Sequence, residues 1–314
     1  MAEQNSSISN FREFLLRVLL PLFFIFSGAG FVFNYFFEKE IILKSPICGA
    51  YKVNRIITET HPQEIPIFGS SRAGGGFIPD SLGSDLFNYG LSGTNYDVAL
   101  FFLKQECRKI KTTPWIILNF DLDGMTYGRG DIGNYILNAN NPEIEALLGA
   151  DYRGYFSVPF IKYYGRYENY FGLFLSDRIE LTKITNKGAS LEKNRLPQKE
   201  FNDLVSERKN TSHTFRNDPV LEQRLLHIMN TNSNRQFIFV IAPYHTSYFQ
   251  GYTNQAPEQA FLDTLRSFKN AKVFDFSKLP LADSMFLNTT HINYKGAVIF
   301  NHLLRDSLKA LGAD

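Results

Sequence analysis

Two cysteines and one tryptophan are all that 314 residues contain, and no segment is rich in lysine or arginine. Two cysteines are too few for a disulfide scaffold, and no Cys/His pair has the spacing of a zinc site, so no metal is expected. Basic and acidic side chains, 33 and 31, nearly cancel to a net +2. That balance leaves no electrostatic footprint for nucleic acid. Gly-x-x-x-x-Gly-Lys-Ser/Thr is absent, which removes the usual phosphate loop, and no cofactor is expected. There is no internal repeat and no low-complexity tract.

Long apolar runs are also scarce, with one exception. Val18 to Phe37 (VLLPLFFIFSGAGFVFNYFF) is 20 residues without a charge, and about 20 residues at helical rise cross a hydrocarbon core. It reads as a single membrane anchor. The competing reading is a cleaved signal peptide, but the run exceeds a usual h-region and no small-x-small site closes it. Arg12 and Arg17 precede it while Glu38, Lys39 and Glu40 follow, which places residues 1–17 in the cytoplasm and the rest outside. Cys48 and Cys107 leave two readings open: one disulfide tying the segment after the anchor to the domain, or two buried thiols.

After a linker at 38–61, the domain at 62–314 alternates strand and helix patterns as a parallel α/β sheet requires. Strands are expected at Ile65–Phe68, Leu86–Tyr89, Trp115–Asn119, Gln236–Ala242 and Lys272–Phe276, and helices at Tyr96–Ile110, Pro219–Met229, Pro257–Phe268 and Lys295–Leu311. An insertion of about 122–216 separates the third and fourth strands. In it Phe156, Phe160, Tyr163, Tyr164, Tyr167, Tyr170, Phe171 and Phe174 recur at helical steps. Such a stripe is either core or a contact surface for sugar rings, the membrane interface or a partner. Lys183–Asn210 is polar and charged and reads as a mobile loop.

Ligands of open α/β sheets bind at the carboxyl ends of the strands. Those ends carry Gly69-Ser70-Ser71-Arg72, then Gly90, Ser92, Gly93 and Asn95, then Asp121 and Asp123, then Tyr244 and His245; His291 stands just before the last helix. A serine needs a histidine to take its proton and donors to hold an oxyanion, and these parts meet from anywhere in a chain. A Ser71–His291 pair with a glycine-lined approach at Gly93 suits acyl transfer.

The order Gly69-Ser70-Ser71-Arg72, Asn88-Tyr89-Gly90-Leu91-Ser92-Gly93 and His291-Ile292-Asn293-Tyr294-Lys295-Gly296 resembles the blocks of the SGNH (GDSL-type) hydrolase superfamily. The resemblance covers roughly 62–122 and 235–312. With the anchor and the Gly-Ser-Ser form of the first block, it is most similar to the anchored SGNH proteins of bacterial cell-envelope acylation, such as the DltD protein of teichoic-acid D-alanylation and the alginate acetylation proteins. It implies a three-layer flavodoxin-like fold with about five parallel strands. It also implies a serine O-acyltransferase or esterase acting on O-acyl, chiefly O-acetyl, groups of an extracytoplasmic glycan, at a bacterial cytoplasmic membrane and beside a polytopic membrane-bound O-acyltransferase. Ser71 would be the nucleophile, His291 the base, and the Ser71 and Gly93 amides the oxyanion donors. Arg72, Asn95, Asp121, Tyr244 and His245 would face substrate.

Two positions depart from the family pattern. The expected acid of Asp-x-x-His is Asn288, and the third-block asparagine falls on Asp121 in 119-NFD-121. An amide can orient His291 but cannot stabilise an imidazolium as a carboxylate does. Asp283 and Asp121 are the candidate substitute acids. The alternative reading is a catalytically impaired SGNH-like partner or glycan-binding subunit of a membrane acyltransferase.

Overall fold

The computed structural model describes residues 11–149, 156, 158, 162–180 and 187–313. Residues 1–10, Phe160 of the aromatic stripe and 183–186 of the polar segment lie outside the described residues. A continuous helical run, Phe11–Lys44, has a mean hydropathy of 2.1 in its most apolar window and is long and apolar enough to cross a membrane. Most of it is α1 (Leu20–Glu40).

The remaining elements follow in chain order: α2 (Gly49–Thr58), β1 (Ile65–Phe68), α3 (Ser71–Gly76), α4 (Pro79–Leu82), β2 (Leu86–Asn88), α5 (Tyr96–Cys107), β3 (Trp115–Asn119), β4 (Gly124–Met125), α6 (Pro142–Leu148), α7 (Tyr167–Glu180), α8 (Gln198–Asn210), β5 (Arg216–Asn217), α9 (Pro219–Thr231), β6 (Gln236–Ile241), α10 (Thr246–Gly251), α11 (Ala256–Ser267), β7 (Ala271–Asp275) and α12 (Tyr294–Leu311). The five expected strands pair in the order β2-β1-β3-β6-β7, all parallel. The order reverses between β1 and β3, because the chain steps outward to β2 before returning to the other side. That is the flavodoxin-like switch point, where the crevice of such sheets opens.

The three central strands β1, β3 and β6 are almost wholly apolar and buried on both faces, as a covered parallel sheet demands. Alternate residues divide between two cores. Phe68, Ile116, Leu118, Phe237 and Phe239 pack with Val53 of α2, Leu103 of α5, Leu221 of α9 and Phe261 of α11. Ile65, Ile67, Ile117, Ile238 and Val240 pack on the other face with Ala73 of α3, Leu82 of α4 and Phe300 and Leu304 of α12. The strand period of two thus makes three layers from one sheet.

Two expectations need correction. The stretch 38–61 is not a plain linker, because it contains α2, whose Val53 and Ile56 are fully buried. Lys183–Asn210 is not a loop throughout: α8 fills 198–210 with Phe201 buried, and the stretch before it is pinned by Ser190 N–H to the Gly74 carbonyl (2.8 Å) and Asn88 N–H to the Lys187 carbonyl (2.9 Å). Of the two readings left open for the cysteines, the structure has the thiols: Cys48 and Cys107 are not joined, and burial pushes the Cys107 thiol up to about 12.

The insertion is pinched at its base, where β4 and β5 pair in parallel through Gly124↔Arg216 and Met125↔Asn217. Inside it, the turn Ile132–Asn138 faces two ways. Tyr135 packs into the first core, while the adjacent Ile136 joins a third cluster with Phe156, Tyr163 and Tyr170 against Phe37 and Ile42 at the end of the membrane helix.

Candidate active site

The turn after β1 is built for close passage. Gly69 has φ +150, and a Cβ there would stand 2.8 Å from the Ala73 Cβ and 2.9 Å from the Asn119 Cβ. Ser70 caps α3: its hydroxyl accepts from the Arg72 N–H (3.2 Å) and donates to Asp121 Oδ2 (2.6 Å). Ser71 therefore begins the short helix, half-buried and facing outward from the strand end. Its amide is among the first N–H groups that a helix leaves without an internal acceptor.

The glycines that follow are packing surfaces. Gly74 lies against Gly90, where a Cβ on Gly90 would sit 2.3 Å from the Gly74 nitrogen. Asn88, fully buried, ties the two blocks by donating to the Ala73 and Phe77 carbonyls (2.8 and 2.9 Å) and accepting from Gly90 N–H (2.8 Å). Asn301 of α12 donates to the Gly76 carbonyl (2.6 Å) and accepts from Ile78 N–H (2.8 Å). Buried Lys52 of α2 donates to the Gly90 carbonyl (2.6 Å). The carbonyls of this turn are thus satisfied from four directions, which fixes where Ser71 points.

The loop before α12 delivers the histidine. Ser71 Oγ and His291 Nε2 lie 2.8 Å apart although 220 residues separate them in the chain. On the far side of the ring, His291 Nδ1 is 3.1 Å from Asn288 Oδ1 and 3.0 Å from Thr290 Oγ1. Asn288 Oδ1 also accepts the backbone N–H of Thr290 and of His291, each at 2.9 Å. Two fixed donors identify that atom as the amide oxygen, so the ring must carry its proton on Nδ1. Nε2 then presents its lone pair to the serine hydroxyl. Burial, then the nearby Arg72 cation, lower His291 to about 4, and the ring is neutral at neutral pH.

Neither candidate acid reaches this ring. Asp283 Oδ1 instead contacts His245 Nε2 at 3.1 Å. Asp121 is held by Ser70, by Asn119 Nδ2 (2.7 Å) and by Arg72 Nε (2.9 Å). Burial raises its carboxyl, against the pull of Arg72 and these hydrogen bonds. It is a brace for the Ser70–Arg72 turn, and its charge is matched by Arg72 rather than aimed at an oxyanion.

The substrate-facing group is also redrawn. Arg72 is buried, stacked 3.5 Å over the Tyr244 ring and bonded to the Ala242 and Pro243 carbonyls (2.8 and 3.2 Å). Tyr244 is itself buried, its hydroxyl oxygen accepting from Leu122 N–H (2.8 Å). His245 is buried against Ser247 (2.8 Å) and Asp283, and its backbone N–H donates to the Thr289 carbonyl (3.2 Å), bracing the His291 loop. The Asn95 side chain is turned to Thr126 Oγ1 (2.9 Å) and the Tyr127 carbonyl (3.1 Å). Gly93 has φ +72 and rests against Gly130. Residues after a strand fold inward when the third layer needs partners, and sequence position alone does not distinguish them from residues that face solvent.

A cavity of about 10 Å³ adjoins His291, lined by Arg72, Gly75, Pro243 and Thr290 among others. It has room for about one water. Ser71 and His291 are each partly exposed beside it.

No family model matches the chain, and no curated protein matches it. Among solved structures, it is similar to one described as a candidate platelet activating factor from Streptococcus pneumonia. Identity is 11% over 89% of this chain and 98% of that one, with a TM-score of 0.40. Likeness at that level carries no functional argument, and the reading below rests on the geometry.

Proposed function

We propose that the protein is a membrane-anchored serine acyltransferase or esterase of SGNH type. The observation that carries this is the 2.8 Å contact between Ser71 Oγ and His291 Nε2. It occurs at the carboxyl end of β1, beside the switch point of the sheet, with the imidazole neutral and in the accepting tautomer.

The steps follow from these positions. Ser71 Oγ attacks an acyl carbonyl while its proton passes to His291 Nε2. The amides of Ser71 and Gly93 stabilise the oxyanion. His291 then returns the proton to the departing oxygen, leaving an acyl-Ser71. A second hydroxyl, from water or a sugar, is deprotonated by His291 and takes the acyl group. Asn288 Oδ1 holds the ring throughout.

The reading extends to O-acyl, chiefly O-acetyl, groups of an extracytoplasmic cell-envelope polysaccharide at a bacterial cytoplasmic membrane, with a polytopic membrane-bound O-acyltransferase as partner. That extension rests on the motif resemblance and the anchor.

A second reading has its own observation: an amide, not a carboxylate, faces Nδ1. A protein with this substitution could serve as a glycan-binding or assembly partner without turnover. A fluorophosphonate probe on the full-length chain in detergent micelles separates the two. Labelling of the wild type that is lost in Ser71→Ala and retained in Ser70→Ala is expected. No labelling of the folded wild type would defeat the enzyme reading and leave the binding one.

A further inference from the structure

The last turns of the membrane helix are not free, and what covers them is the aromatic insertion. Gly30, Asn34 and Phe37, at spacings of four and three, form a buried face of α1. The Tyr167 hydroxyl donates to Asn34 Oδ1 (3.1 Å), and its ring lies 5.6 Å from Phe33 and 5.0 Å from Phe37. Tyr163 meets Phe37 at 5.2 Å. One turn later the polar contacts begin: Glu38 accepts from Lys162 Nζ (2.6 Å) and from the Tyr163 hydroxyl (2.7 Å).

This order fixes a depth. Phe33 and Asn34 belong to the uncharged run that ends at Phe37, and at about 1.5 Å per residue they lie about 5–6 Å inside its end. The covered face reaches Gly30, about 10 Å inside. A segment that touches α1 there stands beside the apolar part of the anchor, not above it. The outward side of the same segment carries large apolar side chains, Tyr164 75%, Phe171 49% and Leu175 44% exposed, with Glu168 and Asn169 exposed between them. Between it and α1 runs a groove of about 730 Å³ walled by Phe33, Phe36, Tyr167 and Phe171, with Glu40 and Glu168 also in its wall.

We infer that α7 and the turn before it lie in the boundary layer of the bilayer that α1 crosses, and that the groove takes a lipid acyl chain. Tyrosines whose rings meet hydrocarbon while their hydroxyls reach polar partners fit that layer. Lys162 and Glu38 pair on its polar side. The two glutamates in its wall disfavour an anionic headgroup, so the apolar chain is the part recognised. The inference is independent of any chemistry at Ser71.

The test uses the full chain in nanodiscs of phosphatidylcholine with no other protein. Trp115 is replaced by phenylalanine, and a reporter is placed by Phe171→Trp or, separately, Tyr164→Trp. Val220→Trp, at the start of α9, serves as the water-exposed control. Expected for both reporters is blue-shifted emission, most of it lost when the acyl chains are brominated and little of it lost to aqueous iodide. Val220→Trp should show the reverse. Iodide quenching of the 171 and 164 reporters without bromine quenching would overturn the inference and leave this face for a protein partner.

Discussion

At the scale of single residues the deciding contact is on the far side of the histidine. An amide at 288 sets the tautomer but adds no charge, so Asn288→Asp is the informative change. The carboxylate keeps the acceptor that the Thr290 and His291 amides use, and it stabilises the imidazolium formed during transfer. Turnover of a simple ester is expected to rise at least about tenfold, the reverse of the loss known when a triad aspartate becomes an amide. The lower limb of the pH–rate profile should move up from about 4. In the wild type, activity should hold from neutral pH down to about 5 and fall as His291 protonates near 4. Stability follows the same sign. The folded value lies below the ordinary 6.5, so this histidine's contribution is full above 6.5 and is lost as pH falls toward 4, readable as a falling melting temperature over that window. The serine, the histidine and the missing acid were legible from motif order. The fates of Asp121, Asp283 and Arg72 were not, because each is set by a partner brought up by the fold: Ser70 and Arg72 for the first, His245 for the second, Tyr244 for the third.

Among the elements, strands announced themselves because a parallel sheet covered on both faces is written as short continuous apolar runs. Six helices among the described residues did not, α8 and α2 being the longest of them. In α8 (QKEFNDLVSERKN) charged and polar side chains dominate and Phe201 is the one buried residue, so the pattern reads as a solvated loop. In α2 the apolar Ala50, Val53 and Ile56 do share a face, but ten residues directly after an anchor look like a spacer. The triple glycine is an element-level device, since it lets α3 lie flush on the second block. Gly90→Ala should lower stability by about 1–3 kcal/mol through overpacking, because its new methyl would meet the Gly74 backbone. Gly172→Ala, in α7 with nothing within 4 Å, should be neutral or stabilising by up to about 1 kcal/mol. Thermal melts of the two variants check the contrast.

For the whole molecule, the long apolar helix and the sheet domain are one packed object. Phe37 is 8% exposed and touches Tyr163, Tyr167 and Tyr170, and Ile136 joins that cluster beside Tyr135 of the main core. Phe37→Ala should remove about 3–5 kcal/mol from this joint while leaving both cores of the sheet untouched. Limited proteolysis should then cut the connection between α1 and α2 several-fold faster, while fluorophosphonate labelling of Ser71 stays at the wild-type rate.

On the proposed function, the turn Ile132–Asn138, with one side chain in the core and the next against the apolar helix, has a consequence for how Ser71 would meet a substrate. A domain on a slack tether sweeps a hemisphere; a domain mounted this way holds its serine at one height and in one attitude. Its encounters are then a search in a plane. Their frequency depends on how many acyl groups pass at that height per unit of membrane area, not on concentration in a volume.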